Sequence, residues 1–196
     1  MKTLLLLIPA LAFGQAVYEI DSAHSGAHFA VRHMAVSNVR GEFGGVKGSI
    51  VYDPKNLAAS KVEATIDART INTREPKRDD HLKSADFFDV AKFPTLSFRS
   101  KQFYQQAGQL KVKGDLTMHG VTKEVVLDVD GPTPEAKDPW GKLRIGAQAT
   151  TRINRKEWGL LWNKTLEAGS LLVGEEVSIT LDLEAVRKAP ASKTDD

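Results

Sequence analysis

Along most of the chain, apolar and polar residues alternate one by one. In residues 26–43, Ala27, Phe29, Val31 and His33 fall on one side of an extended backbone, and His28, Arg32 and Met34 on the other. A period of two marks a half-buried strand. The pattern returns in residues 46–53, where Ile50 faces inward, and in 62–68, where Val62, Ala64, Ile66 and Ala68 alternate with Glu63, Thr65 and Asp67. It returns again at Leu96, Phe98 and Ser100, and at Leu110, Val112, Gly114, Leu116 and Met118. Val121, Val125, Leu127 and Val129 form one face. So do Leu143, Ile145, Ala147, Ala149, Thr151 and Ile153, and finally Val173, Val177, Ile179, Leu181 and Leu183. Turn signals separate these runs at Asp53-Pro54, His119-Gly120, Gly131-Pro132 and Pro139-Trp140-Gly141.

Strands with one apolar face each predict an antiparallel sheet, because buried parallel strands read as continuous apolar runs. No helical segments alternate with them, so crossover units are not expected. The predicted class is all-β: an extended antiparallel barrel of about eight strands, lipocalin-like in outline, with closure removing the exposed edges. Two stretches depart from the alternation. Residues 76–88 read as a short helix with Leu82 and Ala85 on its packing face. Residues 154–172 place Trp158, Leu161, Trp162 and Leu166 at helix-like spacing, as a short helix or flap across one end of the sheet.

The N-terminus changes the picture of where the fold begins. Lys2 is followed by an apolar run over residues 4–13 and by Gly14-Gln15-Ala16, the layout of an export leader. The run is too short to span a bilayer. The expected organisation is a signal peptide at 1–16, the barrel at 17–186 and a disordered tail at 187–196, in a periplasmic or secreted protein. With no cysteine in the chain, neither disulfides nor an acylated cysteine are available. Hydrophobic residues make up 41% and charged residues 27%, with a formal net charge of +2 and no sustained basic stripe. A nucleic-acid partner is therefore not expected.

The inward positions mix large side chains with many small ones: Ala27, Gly48, Ala64, Ala68, Ser100, Gly114, Ala147 and Ala149. Two readings follow. Either the small residues accommodate barrel taper and strand bends, or they leave an apolar tunnel for a lipid. An eight-stranded barrel is wide enough for filling by side chains or for one small ligand. A tunnel roughly 25 Å long, the reach of tilted ten-residue strands, suits a chain molecule. Such a ligand would gain about 0.8 kcal/mol per methylene removed from water.

Candidate chemistry is sparse. His24 and His28 share a face but lie about 13 Å apart along an extended strand, too far for one metal ion. His33 faces the opposite, apolar side, where it could meet a polar ligand head or backbone. Asp21, His24 and Ser25 have the letters of a nucleophilic triad, but five residues of extended chain do not bring them to a common point. No nucleophile elbow or phosphate-binding glycine loop occurs. No catalytic residue, metal site or cofactor is expected.

Several motifs stand together in order: Asp21-x-x-His24-Ser25, Phe29-x-Val31-x-His33, Val39-x-Gly41-x-Phe43, Asp86-Phe87-Phe88, Phe93-Pro94, Gly114-Asp115-Leu116-Thr117-x-x-Gly120-Val121-Thr122-Lys123 and Val173-Gly174-x-x-Val177. Across residues 18–185 the chain resembles the YceI-like, polyisoprenoid-binding family. The flap matches the family's pattern through Arg155, Trp158 and Gly159, with Trp158 where Phe is more usual; His28 and the long tail are not family features. The resemblance implies a barrel enclosing an amphiphilic isoprenoid, with a helix and flap at the mouth, a periplasmic location and dimers in some members.

The resulting expectation is a carrier of a quinone-type or polyprenyl lipid, taken up in transient contact with a membrane, by a monomer or homodimer. Phe29, Val31, Ile50, Leu96, Phe98, Leu116 and Met118 would contact the chain, His33 the head, and Trp158 and Trp162 the entrance or its closure. An enzyme acting on a lipid in the same cavity, or a protein–protein module, are the alternatives.

Overall fold

The last two long alternating runs, β10 (Leu143–Asn154) and β11 (Val173–Arg187), close the sheet on itself. They pair antiparallel from Arg144↔Val186 through Asn154↔Glu176. The computed structural model describes residues 16–165 and 171–189. Around the ring run β1 (Val17–Ile20), β2 (Gly26–His33), β3 (Ser37–Phe43), β4 (Lys47–Val51), β5 (Lys61–Asp67), β6 (Thr95–Gln106), β7 (Gln109–Met118) and β8 (Val121–Asp130). A two-residue β9 (Ala136–Lys137) lies beside the start of β10.

Eight strand positions form a closed antiparallel barrel. They arise because two positions are each shared by a broken strand. β1 pairs with the end of β11 at Ala185–Arg187, and β2 with its earlier part, Val173–Asp182. The return is broken likewise, with β3 on β2 and β4 on β1. At the break, Ser25 replaces ladder bonds: its Oγ accepts from Glu184 N (3.0 Å) and donates to Glu184 O (3.2 Å).

Tight hairpins join the long strands. Ala107-Gly108 and His119-Gly120 all have positive φ, the geometry whose twist matches the flanking strands. The His119-Gly120 turn is the one the sequence signals. β6 carries a register shift between Ser100 and Gln102. A bulge of this kind inserts a residue and exchanges the faces beyond it. Inward positions therefore pass from Leu96 and Phe98 to Phe103, which is buried.

β5 ends at Asp67, and the chain leaves the ring for residues 68–94. Its helix, α1 (Pro76–Lys83), begins with Pro76 at the first turn and a Glu75 carboxylate accepting from Lys77 N. Proline is suited to this position, where its missing N–H would be unpaired anyway. The helix is shorter than the 76–88 span read from the sequence, and Ala85 is exposed beyond its end. Leu82 and Phe88 pack on the core instead, with Phe88 edge-on to Phe43 at 5.4 Å. Ala68, read from the alternation as part of a strand, is buried in a 3-10 turn that follows β5.

Residues 155–158 form a single 3-10 turn, closed by Gly159 at φ 78°. Leu161 beyond it is 61% exposed, so the helix-like spacing there does not make one buried face. Leu166 lies outside the described residues, as do residues 1–15 of the expected signal peptide and residues 190–196 of the expected tail. Arg187, expected at the start of the tail, is the last residue of β11 and pairs with Tyr18. No described helix is long and apolar enough to cross a membrane.

Candidate ligand-binding cavity

The inner faces of the strands leave space between them. They enclose a cavity of about 240 Å³. Leu110 and Met118 both line it, eight residues apart on β7, so it follows that strand for about 27 Å. Phe29, Val31, Ile50, Leu96, Phe98 and Leu116 line it as the alternation predicts. β10 contributes Ala147, Ala149, Thr151 and Ile153, and β11 contributes Val177, Ile179, Leu181 and Leu183.

The small inward residues divide between two jobs. Ala27, Ala64, Ala147 and Ala149 border the cavity. Gly114 does not leave space: a Cβ there would stand 2.5 Å from the Phe98 ring and from Arg99 O. At Gly48, φ is 152° and a Cβ would stand 2.0 Å from Glu63 O, so this glycine lets two strands approach closely. Ser100 accepts a hydrogen bond from Val62 N at 2.8 Å, beside the β6 bulge. Strand bending and hollowness each account for part of the small-residue set.

Leu82, Phe87 and Phe88 from residues 68–94, with Arg155 and Leu160 after β10, line the end of the cavity near Met118. Trp158 and Trp162 are not part of the lining. Trp158 is 2% exposed and packs with Met118, Ile153 and Leu160. Its Nε1–H donates to Leu116 O at 3.1 Å, and its own carbonyl lies 3.0 Å from His119 Nδ1. It is a closure of the barrel end. Trp162 lies edge-on to His81 of α1 at 4.8 Å and tilted against Phe87 at 5.3 Å. It joins the flap to the helix from outside the cavity.

His33, expected near a ligand head, is also outside the lining. It sits at the end of β2, opposite Val173 and Ser37. A buried charged side chain at this end is Arg155, which the sequence marks only as part of a motif. Arg155 is 4% exposed. Its Nε donates to Gly174 O at 2.9 Å, one terminal nitrogen to Leu160 O, and the other to Val173 O at 3.5 Å. Burial pulls its pKa down, opposed by the charge of Glu175. An isolated arginine between polar neighbours carries no periodic signal, so only tertiary structure could place it inside.

Outside the cavity, Asp21, His24 and Glu184 bring possible metal-ligand atoms within 4.8 Å of one another. A cation already serves this cluster. Arg144 donates to Asp21 at 2.7 Å and to Asp138 at 2.8 Å, and also bonds Glu184. The Arg144 guanidinium, then the His24 hydrogen bond, hold the Asp21 carboxyl at about 2. The group ties the segment before β10 to the β1–β2 break. The triad letters do not assemble either: His24 meets Asp21 at 3.0 Å, but Ser25 is engaged with Glu184 backbone. His28 lies 3.6 Å from both Glu42 and Asp182. Among the described residues, no hydrogen bond joins two cavity-lining side chains to each other.

The YceI-like domain profile matches residues 18–185. A UPF0312 protein of Vibrio cholerae is 38% identical over 180 residues, covering 90% of each chain. Protein YceI of Salmonella newport is 34% identical over 175 residues, covering 88% of each. Among solved structures, Burkholderia cenocepacia BcnA superposes with a TM-score of 0.71 at 20% identity, covering 84% of this chain and 98% of its own. A polyisoprenoid binding domain from Saccharophagus degradans gives a TM-score of 0.63 at 17% identity, covering 87% and 98%. The profile match over nearly the whole barrel, and the two relatives above 30% identity, establish that the chain belongs to the YceI-like family.

Proposed function

We propose that the protein is an exported carrier that sequesters one long-chain amphiphilic lipid of polyisoprenoid type, a quinone or polyprenyl chain, inside its barrel. The observation that carries this reading is the apolar cavity running from Leu110 to Met118. Its length along the strand, about 27 Å, suits a chain rather than a compact metabolite. Each methylene withdrawn from water there contributes about 0.8 kcal/mol, so a lipid needs few polar contacts to bind. The polyisoprenoid-binding description of the Saccharophagus degradans domain supports the same ligand class. The leader-like residues 1–16 favour a periplasmic or secreted site of action, with a membrane as the lipid source.

Organic extraction of the purified protein followed by mass spectrometry tests the proposal. The expected result is a stoichiometric long-chain lipid, or uptake of an added fluorescent prenyl probe by emptied protein. Absence of both overturns it.

A further inference from the structure

Single apolar side chains scattered over a surface are ordinary, but a contiguous group is not. Among the described residues six large apolar side chains are exposed, and four of them, Met34, Val36, Leu161 and Leu171, sit on neighbouring segments. Met34 N donates to Leu172 O at 2.9 Å, and Leu172 N to Lys164 O at 2.8 Å. Asn163, two residues after Leu161, holds the backbone of Val173 through its side chain at 2.7 and 3.0 Å. The β2–β3 turn and the described parts of the flap are thus tied into one rim. Val36, in that turn, is 77% exposed.

This rim continues the cavity lining outward. Val31, Leu160 and Val173 line the cavity, and a few residues along the chain from each stands an exposed apolar neighbour: Met34, Leu161 and Leu171 respectively. The β2–β11 ladder is irregular at the same place, with a register shift between Val173 and Val177. The turn is also conformationally unfavourable as built. Met34 and Ala35 have φ of 51° and 58°, a region where glycine or asparagine is the usual choice. Apolar side chains stand where polar ones would suit both solvent and backbone better.

The charges beside the rim are uneven. On β11, Glu175 is matched by Lys156 at 3.1 Å and Glu176 by Arg152 at 3.4 Å. Arg32, exposed near the end of β2, hydrogen-bonds the neutral Asn38 at 3.3 Å, and Lys164 on the flap is exposed too. Among the described residues, neither has a carboxylate within 4.0 Å.

We propose that this rim is the surface by which the protein docks on a bilayer carrying anionic phospholipids. The apolar tips of the β2–β3 turn and the flap enter the interface, and Arg32 and Lys164 meet the phosphates. The proposal takes its occupant from the lipid-carrier reading and adds to it the face turned toward the source of the cargo. Burial of apolar area and attraction of basic side chains to anionic head groups act together in docking of this kind. A second copy of the chain fits less well. A two-fold contact places the same patch on both sides, which would set the Arg32 and Lys164 charges of the two copies against each other.

The test is cosedimentation with vesicles of phosphatidylethanolamine and phosphatidylglycerol, and with vesicles of phosphatidylcholine alone. The protein is used without residues 1–16, whose apolar run would itself bind lipid. Binding to the anionic vesicles is expected, and it should weaken on phosphatidylcholine and at high salt. Met34→Asn combined with Val36→Asn should lower it by about tenfold or more. Thermal stability should hold in that variant, because asparagine tolerates the positive φ of Met34 and Val36 is exposed. Equal sedimentation of variant and wild type, sedimentation of neither, or binding indifferent to lipid charge overturns the proposal. So would a wild-type dimer that the double variant abolishes without any vesicle binding, since the patch would then join two copies. Uptake of the prenyl probe from solution judges the carrier reading separately. Protein that takes up probe but leaves vesicles bare loses only the docking surface; protein that sediments but takes up no probe loses only the carrier reading.

Discussion

The ring of Phe98 occupies the space a side chain would need at Gly114: a Cβ built there stands 2.5 Å from Phe98 Cζ. The two residues belong to paired strands, with Phe98 opposite Leu116 and Gly114 opposite Ser100. A glycine on one strand thus gives an aromatic ring on the next a place to lie. Phe29 and Gly41 repeat the arrangement on β2 and β3, where a Cβ would stand 2.3 Å from Phe29 Cζ. These rings cover backbone that would otherwise be bare, and they form wall rather than filling.

Gly114→Ala should accordingly destabilise the barrel by about 1–3 kcal/mol, the usual cost of overpacking. Its Cβ meets Arg99 O at 2.5 Å as well as the ring, and backbone cannot swing aside. Chemical denaturation of the two proteins measures the difference. A variant as stable as the wild type would show that the strands separate easily at this point.

Trp158 fills the end of the barrel and bonds Leu116 O through its indole N–H. Trp158→Ala removes both and should cost about 3–5 kcal/mol. Trp158→Phe keeps most of the packing and should lose less, because only the hydrogen bond is removed outright. Thermal unfolding of the pair distinguishes closure from a mobile gate: a gate would tolerate either change with little loss of stability.

Ala147 borders the cavity on β10, opposite Leu183 of β11. Ala147→Phe places a ring in the lumen. Prenyl-probe uptake should fall by about tenfold or more, since the ring excludes methylenes worth about 0.8 kcal/mol each. The empty barrel should remain folded by circular dichroism. Unchanged uptake would mean that the lipid path does not pass this strand.

Acid should loosen the fold from the β1–β2 break. Asp21 is held at about 2, chiefly by Arg144, against an ordinary value of 3.8; Arg144 likewise lowers Asp138. A depressed carboxylate contributes stability that is fully present above the unfolded-state value and is lost as pH falls toward the folded one. Stability should therefore fall between about pH 4 and pH 2, and Asp21→Asn should flatten part of that slope. At the other extreme, burial followed by the Glu135 hydrogen bond raises Tyr18 to about 12. Its contribution is present below pH 10 and is lost as pH climbs toward 12. Denaturation midpoints measured across pH check both limbs.

Much of the wall was legible because a strand exposes alternate residues to opposite faces, so parity alone separates inside from outside. Ala27, Phe29, Val31, Leu116 and Met118 needed no further information. Parity failed where the backbone inserted a residue: nothing local distinguishes Ser100–Gln102 from regular strand, so Phe103 was missed. It also could not tell an empty place from one filled by a neighbour. Gly114 and Ala147 look alike as small inward residues, yet one lies under Phe98 and the other borders the lumen.

Alternation, turn chemistry and the missing helical crossovers were sufficient for an antiparallel barrel with an apolar interior, because those properties depend on neighbours along the chain. The helix near Leu82 and the break near Trp158 were also visible as interruptions of that period. Tertiary structure decided which small residues enclose space, that Trp158 seals rather than lines, that His33 stands aside, and that Arg155 is buried. Each of these depends on groups distant in sequence arriving at one place, such as Leu116 O beneath Trp158 or Gly174 O before Arg155. No local pattern records such meetings, because only the pairing of strands distant in sequence creates them.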